Sequence, residues 1–278
     1  MIQGQVDIGE IVLHHAADSY SIFMFEWRRM ESLQFGPFNV TPTKHVVFLF
    51  IAAFLVFLTM KVAGRKLEAQ RANENAPKGF ANAIEAMVLF VRNDVAIANI
   101  GHDGAKFAPF VMTLFFFVLY MNLLGLIPHG ATPTGNLAVT AGLAVLAFLV
   151  IEIGGFLKLG PAGYMRTIFP TIPGLSGPGA IAMSLFMAPI EILGKMVKPF
   201  ALCVRLFGNM VAGHLVILSI MGIIFLFGHL PFWNWGIGIA AATLLLGIMM
   251  LEIFVAMLQA YVFALLTAVF IGLMQHEH

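Results

Sequence analysis

The chain has 278 residues and a formal net charge of +1; 60% of its residues are hydrophobic and 10% are charged. A soluble domain would carry about 25% charged residues, so the composition excludes an ordinary soluble protein and indicates a chain embedded in lipid. No basic run indicates a nucleic-acid partner. The single cysteine, Cys203, excludes an intramolecular disulfide and any multi-cysteine metal site, and no cofactor is predicted.

Residues 1–43 are mixed in character, and we predict that they form an extramembrane or interfacial segment before a single membrane domain, 44–278. The sequence lacks a basic region followed by an apolar core and a cleavage site, so no signal peptide is expected. Three apolar stretches then have the length of a membrane span, 45–63, 107–127 and 137–157.

Between the first two spans, apolar side chains recur at helical spacing and polar side chains occupy the other positions. The apolar residues are Ile84, Met87, Val88, Val91, Val95 and Ala98. This pattern predicts an amphipathic helix that lies at the membrane surface rather than crossing it. After the third span, a stretch rich in glycine and proline, 158–179, is predicted to be a loop.

Two longer apolar stretches, 180–228 and 236–274, complete the chain. A span needs about 20 residues, and at about 1.5 Å per residue these stretches would reach roughly 70 and 60 Å as helices. We therefore expect them to tilt steeply, bend or break, with Pro189 and Pro199 as bend points in the first. The predicted fold is all-α and polytopic. It has about five membrane-embedded helices plus one interfacial amphipathic helix, and it ends in a long tilted helical hairpin over 180–274.

Lysine and arginine flank alternate ends of the predicted spans. They follow the first and third spans and lie early in the first long stretch, whereas the loops 128–136 and 229–235 contain neither. Because basic residues concentrate on the cytoplasmic side, the pattern predicts five crossings with the N-terminus outside and the C-terminus in the cytoplasm. No internal repeat is visible, which disfavours a duplicated transporter fold.

The hairpin carries polar residues that are costly in a membrane, where an ionisable group at mid-depth costs about 2.5 kcal/mol or more. They are Glu191, Lys195, Lys198, Arg205, Asn209, His214, Glu252 and Gln259. Folding the two stretches as an antiparallel hairpin brings Arg205 level with Gln259. The same fold brings His214 level with Glu252. On an ideal helix His214 lies about half a turn from Arg205, so these groups line either one cavity or two faces.

The two levels differ in chemistry. Arginine stays protonated and offers only donors, so Arg205 is a fixed cation. His214 and Glu252 can exchange protons near neutral pH. A fixed cation beside a titratable pair suits an ion path. Protons would pass along the titratable side of this path and would be stopped at the cation.

Structural explanations compete for the remaining polar residues. We expect Lys195 and Lys198 to be anchors that snorkel to the cytoplasmic surface. Glu191 is explained equally well by a local pair with Lys195 at i+4 or by a functional role. Asn209 and Gln259 are also explained as hydrogen bonds between helices.

Residues 198–213 read KPFALCVRLFGNMVAG and closely resemble the signature of subunit a of the F-type ATP synthase. MNLLGLIP at 121–128 and LQAYVFALLTAVFIG at 258–272 are similar to two further segments of that family, so the resemblance extends over most of the chain. At Gly125 some members carry an acid, and the neighbouring Asn122 remains as the polar residue of that region.

The resemblance implies a role for each matching residue. Arg205 matches the family's essential arginine, which faces the proton-carrying carboxylate of the rotating c-ring. His214 and Glu252 fall where the family places an interacting acid and histidine in the inlet half-channel, in exchanged order relative to some bacterial members. The remaining matches are Asn209 and Gln259, which correspond to polar residues beside the arginine, and Glu191, which corresponds to a carboxylate of the cytoplasmic half-channel.

The resemblance also implies the context. The chain would be a non-catalytic subunit that contacts the c-ring, the b subunits of the peripheral stalk, the lipid bilayer and protons. Its location would be the bacterial inner membrane or, alternatively, a mitochondrial or other energy-transducing membrane. Two other classes compete: a secondary ion transporter with an intramembrane His/Glu site, and an intramembrane hydrolase. The hydrolase lacks a third metal ligand at useful spacing and any HExxH motif.

Overall fold

The structure is a computed structural model that describes residues 21–22, 25–26, 34–35, 38–39, 43–72, 79–127, 132–169, 178–227 and 234–276. Two short antiparallel hairpins come first. In one, β1 (Ser21–Ile22) pairs with β2 (Phe25–Glu26); in the other, β3 (Gln34–Phe35) pairs with β4 (Phe38–Asn39). The rest of 1–42 lies outside the described residues, and the division into 1–43 and 44–278 stays a prediction.

Helices make up nearly all of the described chain beyond residue 43. They are α1 (Lys44–Ala72), α2 (Phe80–Phe90), α3 (Gly104–Gly125), α4 (Leu137–Ile168), α5 (Pro178–Phe227) and α6 (Asn234–His276). Within the described residues, five helices are long and apolar enough to cross a membrane; α2 is not among them. The predicted all-α, polytopic membrane fold is therefore confirmed.

The predicted amphipathic segment after α1 is helical, but its apolar face changes phase. Ile84, Val91 and Val95 are buried as predicted, whereas Ala98 is exposed and Ile100 is buried instead. The cause is a π-helical stretch, Val91–Ile97, between α2 and a last α-helical turn, Ala98–Ile100. A π-helix closes its hydrogen bonds at i→i+5, so each turn holds more residues and the buried positions shift. Its location at the membrane surface stays a prediction.

The prediction of a loop over 158–179 is wrong in its first part, because α4 continues to Ile168. Gly160 adopts φ 69° and ψ 173° inside this helix, a backbone conformation that favours glycine. Pro161 then begins the second arm of α4, where its fixed φ and missing N–H suit a first helical turn. In the sequence, the Gly-Pro pair indicates a loop. In the structure, the same pair kinks a helix that continues beyond it. Residues 170–177 lie outside the described residues.

The two longest helices follow the two longest apolar stretches. Helix α5 has 50 residues and α6 has 43. At about 1.5 Å per residue they measure about 75 and 65 Å, more than twice the roughly 30 Å of a bilayer core. Pro189 and Pro199 both lie inside α5. The tilt of this hairpin in the membrane stays a prediction, and its turn lies outside the described residues.

The chain forms two compact units. Unit 1 comprises 1–58, 117–137 and 206–260. Its core includes Ala52 of α1 and side chains from the end of α3, the second half of α5 and the middle of α6: Val118, Met121, Asn122, Leu206, Ala256 and Ala260.

Unit 2 comprises 59–116, 138–205 and 261–278. Its core includes small residues on the last turns of α6, which allow close backbone contact: Ala264, Ala268 and Gly272. A Cβ atom at Gly272 would overlap the backbone oxygen of Asn99, so only glycine fits at that contact. Close helix packing through small residues is typical of membrane proteins.

Candidate functional site

In unit 1, His214 of α5 lies beside Glu252 of α6, as predicted from their matched positions on an antiparallel hairpin. The His214 Nδ1 atom is 3.9 Å from Glu252 Oε1. Glu252 is 6% exposed, and neither of its carboxylate oxygens has a hydrogen-bond partner among the described residues. Gly213 makes room for this carboxylate, because a Cβ atom there would overlap Glu252 Oε1. An unpaired buried charge is costly, so an ionised Glu252 needs a compensating neighbour, and the His214 ring is the described basic group beside it.

The hydrogen bonds of His214 define its neutral form. Its Nδ1 lies 3.1 Å from the carbonyl oxygen of Met210. A carbonyl oxygen only accepts hydrogen bonds, so Nδ1 carries the proton and Nε2 of the neutral ring is an acceptor. Nε2 lies 3.2 Å from the hydroxyl oxygen of Thr132, which therefore donates to it.

Thr132 lies just before a 3-10 turn, Pro133–Gly135, in the segment between α3 and α4. Its backbone oxygen accepts a hydrogen bond of 3.0 Å from Nδ1 of His45, the second residue of α1. A Cβ atom at Gly125 would overlap the Thr132 hydroxyl, so the glycine is needed for this arrangement. Sequence reasoning missed Thr132 and His45, because residues 128–136 have only the pattern of a connecting loop.

Asn122 of α3 is fully buried in the same unit. Its side-chain oxygen accepts a hydrogen bond of 2.8 Å from the Thr134 hydroxyl. Its side-chain nitrogen donates to the backbone oxygen of Ala256, at 3.4 Å. Asn122 thus ties the 3-10 turn to α3 and α6, and Thr134 is a second residue of this turn that the sequence did not indicate.

Gln259 of α6 is 2% exposed and pairs with Asn209 of α5. Asn209 Nδ2 donates to Gln259 Oε1 at 2.8 Å, whereas Gln259 Nε2 has no hydrogen-bond partner among the described residues. The observed partner of Gln259 is therefore Asn209, about one turn along α5 from Arg205. That Arg205 and Gln259 lie at the same height along the hairpin stays a prediction.

The polar residues of unit 1 converge on one face of α6. Glu252 and Gln259 lie about two turns apart there and point in nearly the same direction. Asn209 and His214 are separated by about 140° around an ideal α5 helix. Both nevertheless contact this face, through the 2.8 Å hydrogen bond of Asn209 and the 3.9 Å approach of His214. The angle of about 140° between Asn209 and His214 around α5 therefore does not prevent both side chains from contacting the same face of α6.

Arg205 is exposed on α5. The residues about one turn away on the same side of the helix, Ala201, Gly208 and Asn209, are exposed as well. Only 22% of the most apolar stretch of this helix is buried within the chain. Glu191, further towards the start of α5, is half-buried.

Unit 2 holds a second polar cluster, which we call the Lys195 cluster and in which Lys195 and Thr167 are buried and Glu152 and Tyr164 are half-buried. Lys195 Nζ donates to Thr167 Oγ1 at 2.8 Å, lies 3.8 Å from Glu152 Oε2 and sits 4.7 Å from the centre of the Tyr164 ring. The Tyr164 hydroxyl donates to Glu152 Oε2 at 2.5 Å.

This cluster corrects two expectations for Lys195. The side chain is 7% exposed, so Lys195 does not snorkel to the surface. The carboxylate at its amine is Glu152, not Glu191. The physical reason is the second arm of α4, which supplies Tyr164 and Thr167 as partners and which the sequence indicates as a loop. Lys198 is half-buried, with its amine 5.1 Å from the centre of the Phe270 ring.

The fold and these residues define a polytopic α-helical membrane protein with ionisable side chains inside its longest helices. Comparison with known proteins gives the family. The family described as ATP synthase A chain matches residues 46–272. ATP synthase subunit a 2 of Chlorobaculum tepidum is 43% identical, over 95% of this chain and 72% of that protein. ATP synthase subunit a of Chloroherpeton thalassium is 42% identical, over 95% of this chain and 77% of that protein.

ATP synthase subunit a of Anaeromyxobacter dehalogenans is 39% identical, over 95% of this chain and 70% of that protein. The chain therefore belongs to the ATP synthase subunit a family and is a multi-pass membrane subunit of that proton-transporting complex. The resemblance inferred from residues 198–213 is confirmed. Membership of this family disfavours the competing interpretations as a secondary transporter or a hydrolase.

Proposed function

We propose that this chain is the non-catalytic stator subunit that guides protons through the membrane sector of an F-type ATP synthase. Two offset half-channels load and unload the carboxylates of the c-ring and so couple proton flow to rotation. The partners are the c-ring, the b subunits of the peripheral stalk and the lipid bilayer, without nucleic acid or cofactor. The location is a bacterial inner membrane, with the N-terminus outside and the C-terminus in the cytoplasm.

The exposed position of Arg205 is the observation that carries this proposal. A guanidinium stays charged, and in lipid it would cost about 2.5 kcal/mol or more. A protein surface with a hydrogen-bond acceptor therefore has to cover this part of α5, and a carboxylate of the ring supplies the acceptor. The exposed Ala201 and Gly208 beside Arg205 are small enough for a close approach.

The outer half-channel uses His214 and Glu252. The Glu252 carboxylate, which has no hydrogen-bond partner in the part of the chain that the structure describes, and the imidazole beside it can each take and give a proton. A proton that arrives from outside passes this pair and neutralises a ring carboxylate, which then rotates through lipid as a neutral group. Asn209 and Gln259, joined by a hydrogen bond on the same side of α6, orient the path near Arg205.

Arg205 separates the two half-channels. Its positive charge favours the ionised form of an arriving, protonated ring carboxyl group, so that this group releases its proton towards Glu191 and the cytoplasm. Because arginine does not release its own proton, it also blocks direct leakage from one half-channel to the other. The membrane potential supplies about 2.3 kcal/mol per charge per 100 mV to this cycle.

Replacement of the arginine tests the proposal. We expect Arg205→Ala to abolish ATP-driven proton pumping in inverted membrane vesicles while the complex still assembles, because the fixed cation is lost. Arg166→Ala is the matched control, since Arg166 is also an exposed helical arginine but lies on the last turn of α4. Pumping and co-purification of the ring and stalk subunits are measured for both variants. Coupled pumping that persists in Arg205→Ala would refute the proposal.

A further inference from the structure

We propose that the Thr132 hydroxyl delivers protons to Nε2 of His214 and is therefore part of the outer half-channel. This inference rests on the proposed function and adds a relay group to it. Its basis is a chain of contacts in unit 1 that runs from the start of α1, through the 3-10 turn before α4, to the middle of α5. Neither the helix periodicity nor the family motif points to Thr132.

The direction of the hydrogen bonds makes Thr132 a donor. Nδ1 of His214 is committed to the Met210 carbonyl at 3.1 Å, so the free lone pair of the neutral ring is on Nε2. The Thr132 hydroxyl, 3.2 Å away, points its proton at that lone pair. In this state the ring is ready to accept a proton, and Thr132 is the described side chain placed to provide one.

The atoms and charges of the transfer balance, and the only other reactant is a hydronium ion from the water outside. As the Thr132 O–H bond breaks, a new N–H bond forms at Nε2 of His214. In the same step the hydroxyl oxygen takes a proton from a hydronium ion on its other side. The hydroxyl is restored, and one proton has moved onto the imidazole. The step has to be concerted, because a threonine hydroxyl does not ionise by itself near neutral pH.

The surroundings of Thr132 hold its hydroxyl in place. His45 donates to the Thr132 carbonyl at 3.0 Å, and Thr134 donates to Asn122 at 2.8 Å, so the turn is fixed on both sides. Gly125 leaves the space that the hydroxyl fills, since any Cβ atom there would overlap it. His45 thus acts as a positioning residue, because it bonds to the Thr132 carbonyl.

The test measures ATP synthesis by the whole complex in vesicles, driven by an imposed potential, at several values of pH on the inlet side. Thr132→Val keeps the shape of the side chain and removes the hydroxyl. We expect it to slow synthesis by roughly 10- to 100-fold near neutral pH, towards the lower end of what positioned proton-transfer groups contribute. Thr132→Ser should retain most of the rate. Thr243→Val is the control, because that hydroxyl bonds to Ile239 of its own helix.

The pH profile separates a relay from a packing role. Both routes take the proton from hydronium, but without the relay the protonation of His214 is slow enough to limit synthesis, whereas in the parent a later step of the cycle limits it. Protonation becomes faster as the inlet side becomes more acidic, so the deficit of Thr132→Val should shrink there. A packing defect would lower the rate equally at every pH. Wild-type rates in Thr132→Val, or a deficit independent of pH, would overturn the inference.

A second variant keeps the test decisive if Thr132→Val fails to assemble. Gly125→Ala displaces the hydroxyl without deleting it, and we expect the same pH-dependent deficit. Wild-type rates in Gly125→Ala would contradict the inference. Assembly is checked by co-purification of the ring. Arg205→Ala is measured in parallel: retained coupling there would refute the proposed function, whereas lost coupling there with normal Thr132→Val would refute only the relay.

Discussion

Two carboxylates of this molecule, the half-buried Glu152 and the buried Glu252, each lie beside a basic side chain, but their surroundings differ. In unit 2, Glu152 accepts a 2.5 Å hydrogen bond from Tyr164 and lies 3.8 Å from Lys195, which is itself bonded to Thr167. In unit 1, Glu252 has an imidazole nitrogen at 3.9 Å and no hydrogen-bond partner among the described residues.

The difference indicates what each carboxylate does. A carboxylate that accepts a hydrogen bond and has an ammonium group nearby is held in one arrangement by these partners. A buried carboxylate without donors, beside a group that titrates, has no such preference imposed by hydrogen bonds. We infer that the Lys195 cluster holds α4 and α5 together, whereas Glu252 can change its protonation state during transport.

The largest effect that tests this comparison comes from the same substitution at both carboxylates. Glu252→Gln keeps the shape of the side chain and removes its titration, so we expect proton-driven ATP synthesis to fall by about 100-fold or more. Glu152→Gln should leave synthesis nearly unchanged. The measurement is synthesis by the assembled complex in vesicles at an imposed potential.

Equal losses of synthesis in the two variants would break the comparison, because both carboxylates would then serve transport. A loss in Glu152→Gln alone would reverse it. Co-purification of the ring subunits shows whether either variant has lost assembly instead of transport.

A smaller effect is expected on stability in unit 2. Lys195→Met leaves the half-buried Glu152 without its cation, so we expect the free energy of unfolding to fall by up to about 3 kcal/mol, the lower end for breaking a fully buried ion pair. Replacing both partners, Lys195→Met with Glu152→Leu, should recover part of this loss. Thermal unfolding of the complex in nanodiscs measures both variants. A single variant as stable as the parent would show that the pair contributes nothing.

The smallest effect is expected at the surface of unit 2. Asp103, just before α3, is hydrogen-bonded to Lys106 and Lys158, and these bonds lower the pKa of its carboxyl from 3.8 to about 2. Because the pKa is lower in the folded state, the stabilisation is present above about pH 4 and is lost as the pH falls through about 2.

Asp103→Asn removes this titration. We expect the variant to be only slightly less stable at neutral pH, since exposed ion pairs contribute little. Its stability should then depend less on pH than that of the parent between about pH 4 and pH 2. Unfolding midpoints measured across this range decide the matter, and identical pH dependence in both proteins would show that the Asp103 pairs are not maintained.

The sequence predicts the parts of the site that depend on helix geometry. The pairing of His214 with Glu252 follows from a fixed rise per residue and the midpoint of the hairpin turn. The partner of Gln259 is predicted less accurately. The hairpin places Arg205 level with Gln259, whereas the observed hydrogen bond comes from Asn209. A side chain can reach up or down by a turn, and spacing alone does not distinguish these choices.

Contacts between distant segments were not predictable in this way. Thr132 contacts His214, and His45 contacts Thr132, and Thr132 belongs to a short segment whose sequence has no periodicity. The Lys195 cluster was hidden because Gly160 and Pro161 indicate a loop, whereas in the structure they kink a helix that continues to Ile168. In both cases the partner is chosen by tertiary packing and not by local sequence.

The close contact at Gly272 has a consequence for the biogenesis of the protein. This residue packs against the backbone of Asn99, and Tyr261 stacks on Phe90 with ring centres 5.7 Å apart. Gly272 and Tyr261 are translated long after Asn99 and Phe90, the residues that they contact. The core of unit 2 therefore cannot close before the ribosome has translated residue 272. Until then, the apolar side of that early segment needs lipid or the insertion machinery as a temporary cover.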